Sequence, residues 1–256
     1  MAVETVCPVL GVQQVARNIF LLAFHSADIS RAVRAGQFVN MKVADGPVPL
    51  LRRPFSVYRT EGETVEILFN VVGKGTAALR DKSPGDSIDV LGPLGVPFSV
   101  KAGGMGTAVL VGGGLGVAPL PITTAALAAA GTPIVTLLGA RSADQLVEKH
   151  LVNTLVATDD GSKGCHGTVV DLARSALASG RYPRPRMFAC GPTAMLRAVR
   201  ALALELDIPC EASLEGPMGC GCGICQGCPV ELVDADRKYG LMCKDGPVFD
   251  VRKIII

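Results

Sequence analysis

Four of the nine cysteines have the spacing of the ligands of a small iron–sulfur cluster. Cys220, Cys225 and Cys228 follow the pattern C-x4-C-x2-C, and Cys243 comes after fourteen intervening residues. This spacing is typical of plant-type [2Fe–2S] proteins, in which four thiolates hold two irons. Glycines in the same segment would let the backbone approach the inorganic sulfides and direct N–H groups at them. They are Gly219, Gly221, Gly223 and Gly227.

Other interpretations of these sulfurs stay open at this point. A structural zinc site usually takes two separated C-x2-C pairs, whereas here three sulfurs lie in one half of the pattern and one in the other. Disulfides or unpaired thiols are a further alternative, although such crowding in a reducing compartment favours metal ligation. Cys222 competes with Cys220 as the first ligand. We predict Cys220, because two ligands only two residues apart would strain a shared loop.

A second motif, Arg52-Arg53-Pro54-Phe55-Ser56-Val57-Tyr58, has groups that suit a flavin dinucleotide. A guanidinium binds a diphosphate through two parallel hydrogen bonds, Pro54 fixes the turn, and the Ser56 hydroxyl can reach the polar edge of a flavin ring. Further along, Gly73-Lys74-Gly75-Thr76 leads into a short helical stretch whose first N–H groups would face the same diphosphate. Together the two segments predict an FAD site.

A third motif is a glycine-rich loop that follows a buried strand, Thr107 to Val111, and opens a helix. Its sequence is Gly112-Gly113-Gly114-Leu115-Gly116-Val117-Ala118-Pro119. That context predicts a dinucleotide loop, although the spacing departs from G-x-G-x-x-G. The next strand ends in Arg141 and Ser142, where an NAD-selective fold often carries an acid, so NADP is not excluded beside NAD.

Two later strands also end in polar or glycine-containing segments, Thr158 to Ser162 and Cys190-Gly191-Pro192-Thr193. The carboxyl ends of parallel strands form the crevice where such sheets bind ligands, so we expect Asp160, Cys190, Gly191 and Pro192 near the nucleotide. Cys190 lies either beside the nicotinamide or simply in the core. We identify no certain catalytic residue, since no Cys or Ser nucleophile has a placed His.

The elements that position these motifs predict an α/β plus all-β chain in three parts. Short alternating strands such as Phe38 to Val43 and Val65 to Asn70 predict an N-terminal antiparallel FAD-binding barrel over residues 1–101. Strands alternating with helices predict a parallel α/β nucleotide-binding domain over residues 102–211. The glycine- and cysteine-rich remainder, residues 212–256, predicts a small [2Fe–2S] module.

Composition excludes several classes. A formal net charge of +2, with acids and bases interleaved, gives no concentrated basic face, so we expect no nucleic acid. The N-terminal residues lack the basic and apolar regions of a secretory signal, which predicts a cytoplasmic protein. No uninterrupted apolar run reaches about 18 to 20 residues, so we expect no membrane span.

Taken in order, these motifs resemble the ferredoxin–NADP reductase superfamily. The carrying segments are Arg53 to Ser56, Gly73 to Thr76, Gly112 to Pro119, Cys190-Gly191-Pro192 and the four cysteines. Within that superfamily, Ser213-Leu214-Glu215, Met218 to Cys228 and Cys243 to Phe249 resemble the iron–sulfur electron-transfer subunits of two-component, NAD-dependent dihydroorotate dehydrogenases. The resemblance covers essentially the whole chain.

This resemblance implies an electron path in pyrimidine (UMP) biosynthesis. A separate FMN-containing subunit would oxidise dihydroorotate, and electrons would cross the cluster and FAD to NAD in a heterotetramer of two plus two subunits. By position, the resemblance assigns FAD binding to Arg53, Pro54, Phe55, Ser56, Gly75 and Thr76, with Leu68, Phe69 and Asn70 flanking the flavin. It assigns the cluster to Cys220, Cys225, Cys228 and Cys243. Asn70 departs from the basic residue that the family tends to place there.

Two other functions fit the same motifs. One is the small subunit of a sulfide dehydrogenase or of an NADPH–ferredoxin oxidoreductase, whose motifs overlap heavily. The other, from a different class, is a non-catalytic redox sensor that uses the cluster only to report oxidation. Turnover of NADH with a dye acceptor would separate that sensor from an electron-transfer subunit.

Overall fold

The computed structural model describes residues 2–44, 46, 49–100, 106–233 and 236–256. Six antiparallel strands form the N-terminal part: β1 Val3–Ala16, β2 Ile19–His25, β3 Phe38–Lys42, β4 Arg53–Glu61, β5 Thr64–Asn70 and β6 Ser87–Leu94. They close a barrel in the order β1-β2-β5-β4-β3-β6. Two short helices lie between strands of the barrel, α1 Ala27–Ala32 and α2 Lys74–Arg80. The predicted antiparallel barrel is confirmed.

The barrel interior is filled by one side of each strand. On β3, Val39 and Met41 are fully buried inside the barrel, together with Val57 on β4 and Ile67 on β5. Because side chains alternate along a strand, the residues between them face outward. Phe38 and Asn40 therefore lie on the outer side of the barrel, toward the rest of the chain.

The second part is a seven-stranded sheet with helices on both sides. The remaining strands are β7 Thr107–Gly113, β8 Ile134–Ala140, β9 Thr154–Thr158, β10 Cys165–His166, β11 Pro185–Cys190, β12 Cys210–Ser213, β13 Pro229–Glu231, β14 Tyr239–Leu241 and β15 Val248–Asp250. The sheet runs β10-β9-β8-β7-β11-β12-β15, and every pair is parallel except β12 with β15. The remaining helices are α3 Leu120–Ala129, α4 Val169–Ala178, α5 Thr193–Glu205 and α6 Met242–Asp245.

Helix α3 begins earlier than the apolar pattern predicts. We expect a helix from Thr123, but it starts at Leu120, directly after a short 3₁₀ turn over Gly114–Val117. Proline is tolerated in the first helical turn because the N–H it lacks has no partner there, so Pro121 does not delay the helix. Residues 107–140 contain no charged side chain. In the structure this stretch forms β7, α3 and β8. Within the described residues, no helix is long and apolar enough to cross a membrane.

The C-terminal part shares its core with the sheet. Cys228, Val230, Met242 and Cys243 are buried in the same apolar cluster as Leu196 of α5. The strand β15 adds to the sheet edge, and β13 with β14 forms a separate hairpin. The predicted division at residues 211 and 212 falls inside β12, and the one at 101 and 102 lies outside the described residues. The three-part division stays a prediction.

Candidate functional site

A cavity of about 520 Å³ opens on the outer side of the barrel, and we call it the barrel cavity. All nine residues predicted to hold FAD line it: Arg53, Pro54, Phe55, Ser56, Leu68, Phe69, Asn70, Gly75 and Thr76. Its volume is typical of a small-molecule site. The register explains the convergence, because Ser56 of β4 lies opposite Phe38 of β3 and both face the cavity.

The two adjacent arginines of this motif have different surroundings. Arg52 donates to the Asp89 carboxylate at 2.7 Å and also pairs with Glu4. Its positive charge is therefore already paired with carboxylates of the chain. Arg53 donates to the backbone oxygen of Leu51 at 2.7 Å and faces the barrel cavity. Among the described residues, Arg53 has no carboxylate partner within ion-pair distance. Its guanidinium is therefore available to bind a diphosphate.

The start of α2 borders the same cavity. The Thr76 hydroxyl accepts hydrogen bonds from the backbone N–H groups of Val72 (2.9 Å) and Gly73 (3.3 Å). These bonds fix the turn before the helix, which is the reverse-capping role that a polar residue in the first turn can take. A Cβ on Gly75 would come within 3.1 Å of the Val43 side chain, so the backbone there lies directly against the barrel core. The residues present fit the phosphate-bearing part of FAD.

Sequence reasoning assigned no role to Glu215, which lines the barrel cavity from the C-terminal side. Glu215 is accessible through the cavity, but protein surrounds it otherwise, and this desolvation raises the pKa of its carboxyl group. The Cys190 thiol donates to Glu215 Oε1 across 3.8 Å. Burial, and next the charge of Glu215, raise the pKa of Cys190. The spacing of Glu215 from the cysteines gives no sign of this contact.

A second cavity, of about 820 Å³, lies at the carboxyl ends of the parallel strands, and we call it the sheet cavity. Of the residues predicted for the nucleotide, Gly113, Gly114 and Pro192 line it. Asn70 and Leu115 line both cavities. The two cavities therefore adjoin, so a flavin in the first and a nicotinamide in the second could come into contact.

The other residues of the predicted nucleotide loop pack against neighbours. A Cβ on Gly112 would lie 2.8 Å from the Leu120 side chain, and one on Gly116 would lie 2.2 Å from the backbone oxygen of Cys190. Pro119 precedes α3 directly. Gly191 has φ +157° and backs onto Met195. These glycines allow the loop to approach the ends of β8 and β11, so they shape the sheet cavity without lining it.

Asp160 and Cys190 also lie outside the lining of the sheet cavity. The Asp160 carboxylate accepts bonds from the hydroxyl and N–H of Ser162, and the Ser162 hydroxyl is the main cause that lowers its pKa. Its neighbour Asp159 lines the cavity instead. Cys190 is fully buried and contacts the lining of the barrel cavity through Glu215 and through its strand partner Ser213. Contact of Asp160 or Cys190 with a nucleotide stays a prediction.

The two residues that left NADP open differ in their contacts. Arg141 lines the sheet cavity. The Ser142 hydroxyl donates to the Asp144 carboxylate at 2.6 Å and accepts from Arg17 at 3.2 Å. Asp144 also pairs with Arg17 at 3.1 Å. Because Arg17 neutralises Asp144, and Arg17 and Arg141 both line the sheet cavity, these contacts do not choose between NAD and NADP.

The predicted cluster ligands lie together in the C-terminal segment as two pairs. The sulfurs of Cys228 and Cys243 are 3.3 Å apart, well beyond a disulfide bond. On the other side, the N–H of Cys225 donates to the Cys220 sulfur at 3.4 Å. Burial opposes ionisation of Cys220, but donors from Cys225, Cys222 and Ile224 outweigh it and lower its pKa to about 6.

This arrangement suits two irons better than one zinc ion. A structural zinc ion needs four ligands around one point. Within the described ranges, no three Cys, His, Asp or Glu side chains are arranged to hold a single metal ion. Two pairs of thiols agree with two thiolates for each iron, and the amide donors suit a charged sulfur cluster. The donor set thus fits a [2Fe–2S] cluster, with Cys225 and Cys222 at the surface.

Comparison with known proteins identifies the family of this chain. The family model for the iron-sulfur cluster binding domain of dihydroorotate dehydrogenase B matches residues 215–255. A Bacillus cereus (strain G9842) protein, named dihydroorotate dehydrogenase B (NAD(+)), electron transfer subunit, is 37% identical over 97% of each chain. A protein of the same name from Bacillus anthracis (strain CDC 684 / NRRL 3495) is 36% identical over the same share. This chain belongs to the family of dihydroorotate dehydrogenase B electron transfer subunits.

Two solved structures have the same fold as this chain. A structure described as an NADH-dependent reduced ferredoxin-NADP oxidoreductase is 33% identical, with a TM-score of 0.86, and covers 98% of this chain and 90% of its own. A ferredoxin NADP+ reductase from Neisseria gonorrhoeae shares 18% identity and a TM-score of 0.62, covering 79% of this chain and 91% of its own. At that identity the second match shows the fold alone.

Proposed function

We propose that this chain carries electrons between a dihydroorotate-oxidising partner subunit and NAD, by way of one [2Fe–2S] cluster and FAD. The name of the curated relatives supports the reaction, the nucleotide and the need for a catalytic partner. The match of residues 215–255 to a cluster-binding domain supports the cluster. An FMN group in the partner, an assembly of two plus two subunits and a cytoplasmic location stay predictions.

One observation carries this proposal: the three sites follow one another without a gap. Asn70 and Leu115 line both the barrel cavity and the sheet cavity. Met218 lines the barrel cavity and stands two residues before Cys220, the first predicted cluster ligand. Nucleotide, flavin and cluster would therefore adjoin in the order that the reaction requires.

The chain's own residues bind and orient the groups. Arg53 offers an unpaired guanidinium to the diphosphate, and Phe55, Leu68 and Phe69 give the barrel cavity an apolar wall. When bound, FAD supplies the exchange between single electrons and hydride. Glu215 and Cys190 keep a proton at the edge of this cavity, on Sγ of Cys190 or on the Glu215 carboxyl group. The four predicted ligand thiols would hold the cluster beside the surface, where Ile224 is 80% exposed, so a bound cluster would be open to a partner subunit there.

The test is reconstitution with the partner. The chain is co-expressed with an FMN-containing dihydroorotate dehydrogenase subunit, purified anaerobically, and assayed for flavin, iron and acid-labile sulfide. We expect FAD, about two irons and about two sulfides for each chain, and NAD reduction by dihydroorotate. Flavin without iron or sulfide in the chain, or a loaded complex that does not reduce NAD, would contradict the proposal.

A matched variant separates the cluster step from the flavin step. Cys225→Ser removes one predicted ligand while leaving the residues of both cavities in place. We expect it to keep NADH oxidation with ferricyanide and to lose NAD reduction by dihydroorotate. A Cys225→Ser complex that retains dihydroorotate-dependent turnover at the wild-type rate would show that electrons do not pass through the cluster.

A second candidate is the corresponding subunit of an NADH-dependent ferredoxin–NADP oxidoreductase. The 33% identity and TM-score of 0.86 to such a structure favour it specifically. The two candidates differ in their partner, so the chain is reconstituted separately with each candidate partner subunit. Reduced ferredoxin and dihydroorotate are then supplied in parallel to both complexes. Turnover only with reduced ferredoxin would favour this second candidate.

A further inference from the structure

The outer face of β3 joins the barrel cavity to the cluster segment. Phe38 on this face lines the barrel cavity. Asn40, two residues on, shares the face and is fully buried. Its neighbours in sequence, Val39 and Met41, point into the barrel core. Asn40 is therefore a polar residue buried between the barrel and the C-terminal part.

Among the described residues, the Asn40 side chain makes one hydrogen bond, and that bond reaches the segment of the cluster ligands. Its Nδ2 donates to the backbone oxygen of Cys220 at 3.1 Å, across 180 residues of sequence. Its Oδ1 is buried and has no hydrogen-bond partner among the described residues. An unpartnered buried carbonyl lowers stability, so an apolar residue would be more favourable there. Packing alone does not require a side-chain amide at position 40. The hydrogen bond from Asn40 to the cluster segment explains why an amide stands there.

The segment of residues 219–228, which we call the cluster loop, is shaped to rest on this amide. Gly221 has φ +75°, a backbone conformation that residues other than glycine rarely adopt. A Cβ on Gly221 would lie 2.5 Å from Asn40 Nδ2. The loop backbone thus lies directly against Asn40, with no space for a side chain between them.

The other contact of Asn40 is with the predicted flavin motif. In the β3–β4 pairing, Asn40 stands opposite Pro54, and residues opposite each other on paired strands share a face. Pro54 lines the barrel cavity. One cross-strand pair and one hydrogen bond therefore separate the wall of the barrel cavity from the first predicted cluster ligand.

We propose that Asn40 is a positioning residue that holds the cluster loop at a fixed distance from the barrel cavity and so sets the rate of electron transfer between cluster and flavin. The inference rests on the proposed function, since it needs both groups to be bound. Asn40 contacts neither sulfur nor the cavity itself. It acts through the backbone of Cys220.

The test compares three variants of the full chain in its complex. Asn40→Asp keeps the size of the side chain but replaces the NH₂ donor with a second oxygen facing Cys220 O. Gly221→Ala disturbs the same contact from the loop side. The control is Asn153→Asp, which removes a comparable amide bond, Asn153 Nδ2 to Ile134 O at 2.9 Å, away from both cavities.

Rapid mixing of the oxidised protein with NADH under anaerobic conditions separates flavin reduction from cluster reduction by their visible spectra. We expect Asn40→Asp and Gly221→Ala to slow the flavin-to-cluster step several-fold, because the rate of electron transfer falls as the distance between donor and acceptor grows. The Asn153→Asp control keeps the wild-type rate. Equal rates in Asn40→Asp and wild type would overturn the inference.

A second measurement does not depend on activity. In the protein freed of cluster, hydrogen exchange of peptides covering residues 219–228 should be faster in Asn40→Asp than in wild type and in Asn153→Asp. Unchanged exchange in Asn40→Asp would show that the bond does not hold the loop. A wild-type chain without iron or sulfide would instead contradict the proposed function, so the two failures are distinguishable.

Discussion

The thiol of Cys190 lies 3.8 Å from Oε1 of Glu215, where the end of the strand β11 meets the segment that leads to the cluster ligands. Cys190 is fully buried, whereas Glu215 faces the barrel cavity. Burial raises the pKa of both groups. A carboxyl group and a thiol thus lie in contact beside the predicted flavin site.

This pair predicts a distinct dependence of stability on pH. The raised pKa of Glu215 means that the folded chain holds a proton that the unfolded chain releases near the ordinary value of 4.5. The stabilisation is therefore complete below pH 4.5, and it is lost as pH rises through the raised pKa. Glu215→Gln cannot ionise, so we expect its free energy of unfolding to fall less than that of wild type over this range.

Denaturant unfolding of the flavin-free protein at a series of pH values measures this effect. Asp171→Asn is the control with opposite sign, because the Thr168 hydroxyl lowers the pKa of Asp171 and its stabilisation is lost as pH falls. If wild type and Glu215→Gln respond identically to pH above 4.5, burial does not perturb Glu215 in the way described.

The adjacent arginines offer a second prediction. Arg53→Gln removes the guanidinium that faces the barrel cavity, whereas Arg52→Gln removes one already paired with Asp89. A hydrogen bond to a charged group contributes about 1.5–3 kcal/mol, so FAD affinity should fall roughly ten- to a hundredfold in Arg53→Gln. Fluorescence titration of the flavin-free protein measures this. Arg52→Gln should lower thermal stability and keep the affinity, and a reversed outcome would reject the assignment.

The choice between Cys220 and Cys222 is open to a direct chemical test. We expect Cys222→Ser to retain iron, acid-labile sulfide and the visible spectrum of the cluster. Cys220→Ser, Cys228→Ser and Cys243→Ser should each lose most of the cluster, because an iron would lack one of its thiolates. Iron and sulfide analysis of anaerobically purified variants gives the answer. Loss of the cluster in Cys222→Ser, with Cys220→Ser intact, would exchange the two roles.

Gly116 supplies a prediction about packing. A Cβ there would lie 2.2 Å from the Cys190 backbone oxygen, so Gly116→Ala must push the loop away from β11. Overpacking of this kind costs about 1–3 kcal/mol, and NAD affinity should fall with it. The control is Gly131→Asn, because Gly131 has φ +68° with open space around it and Asn tolerates that conformation. Thermal melts compare the two; similar melting temperatures would contradict the packing argument.

The sequence predicted the local motifs well, for a physical reason. The start of β4, Arg53 to Ser56, and the turn before Gly75 are continuous segments, and both line one cavity as expected. Gly112 and Gly116 show the limit of such reasoning, because glycine in a loop can line a site or allow close packing. Only the neighbours Leu120 and Cys190 decide which of the two occurs.

Long-range contacts lay beyond the sequence. Asn40 meets Cys220 across 180 residues, and nothing in the pattern of β3 marks this outward residue as special. Glu215 likewise reaches Cys190 only because β11 and β12 are neighbours in the sheet. Whether Asp159 or Asp160 faces the sheet cavity depends on the turn after β9, which propensities do not specify.

The pairing of β15 with β12 bears on how the whole chain moves. Ser213 and Val248 are partners in that pairing, and they stand before and after the segment that carries all four predicted ligands. The cysteine segment thus leaves the sheet after β12 and returns to it at β15. Both of its ends are therefore held at the same edge of the sheet. A rotation of the sheet relative to the barrel would drag the metal-binding segment with it and strain the bond at Asn40. Large hinge movements between the two halves are consequently incompatible with an unbroken electron relay.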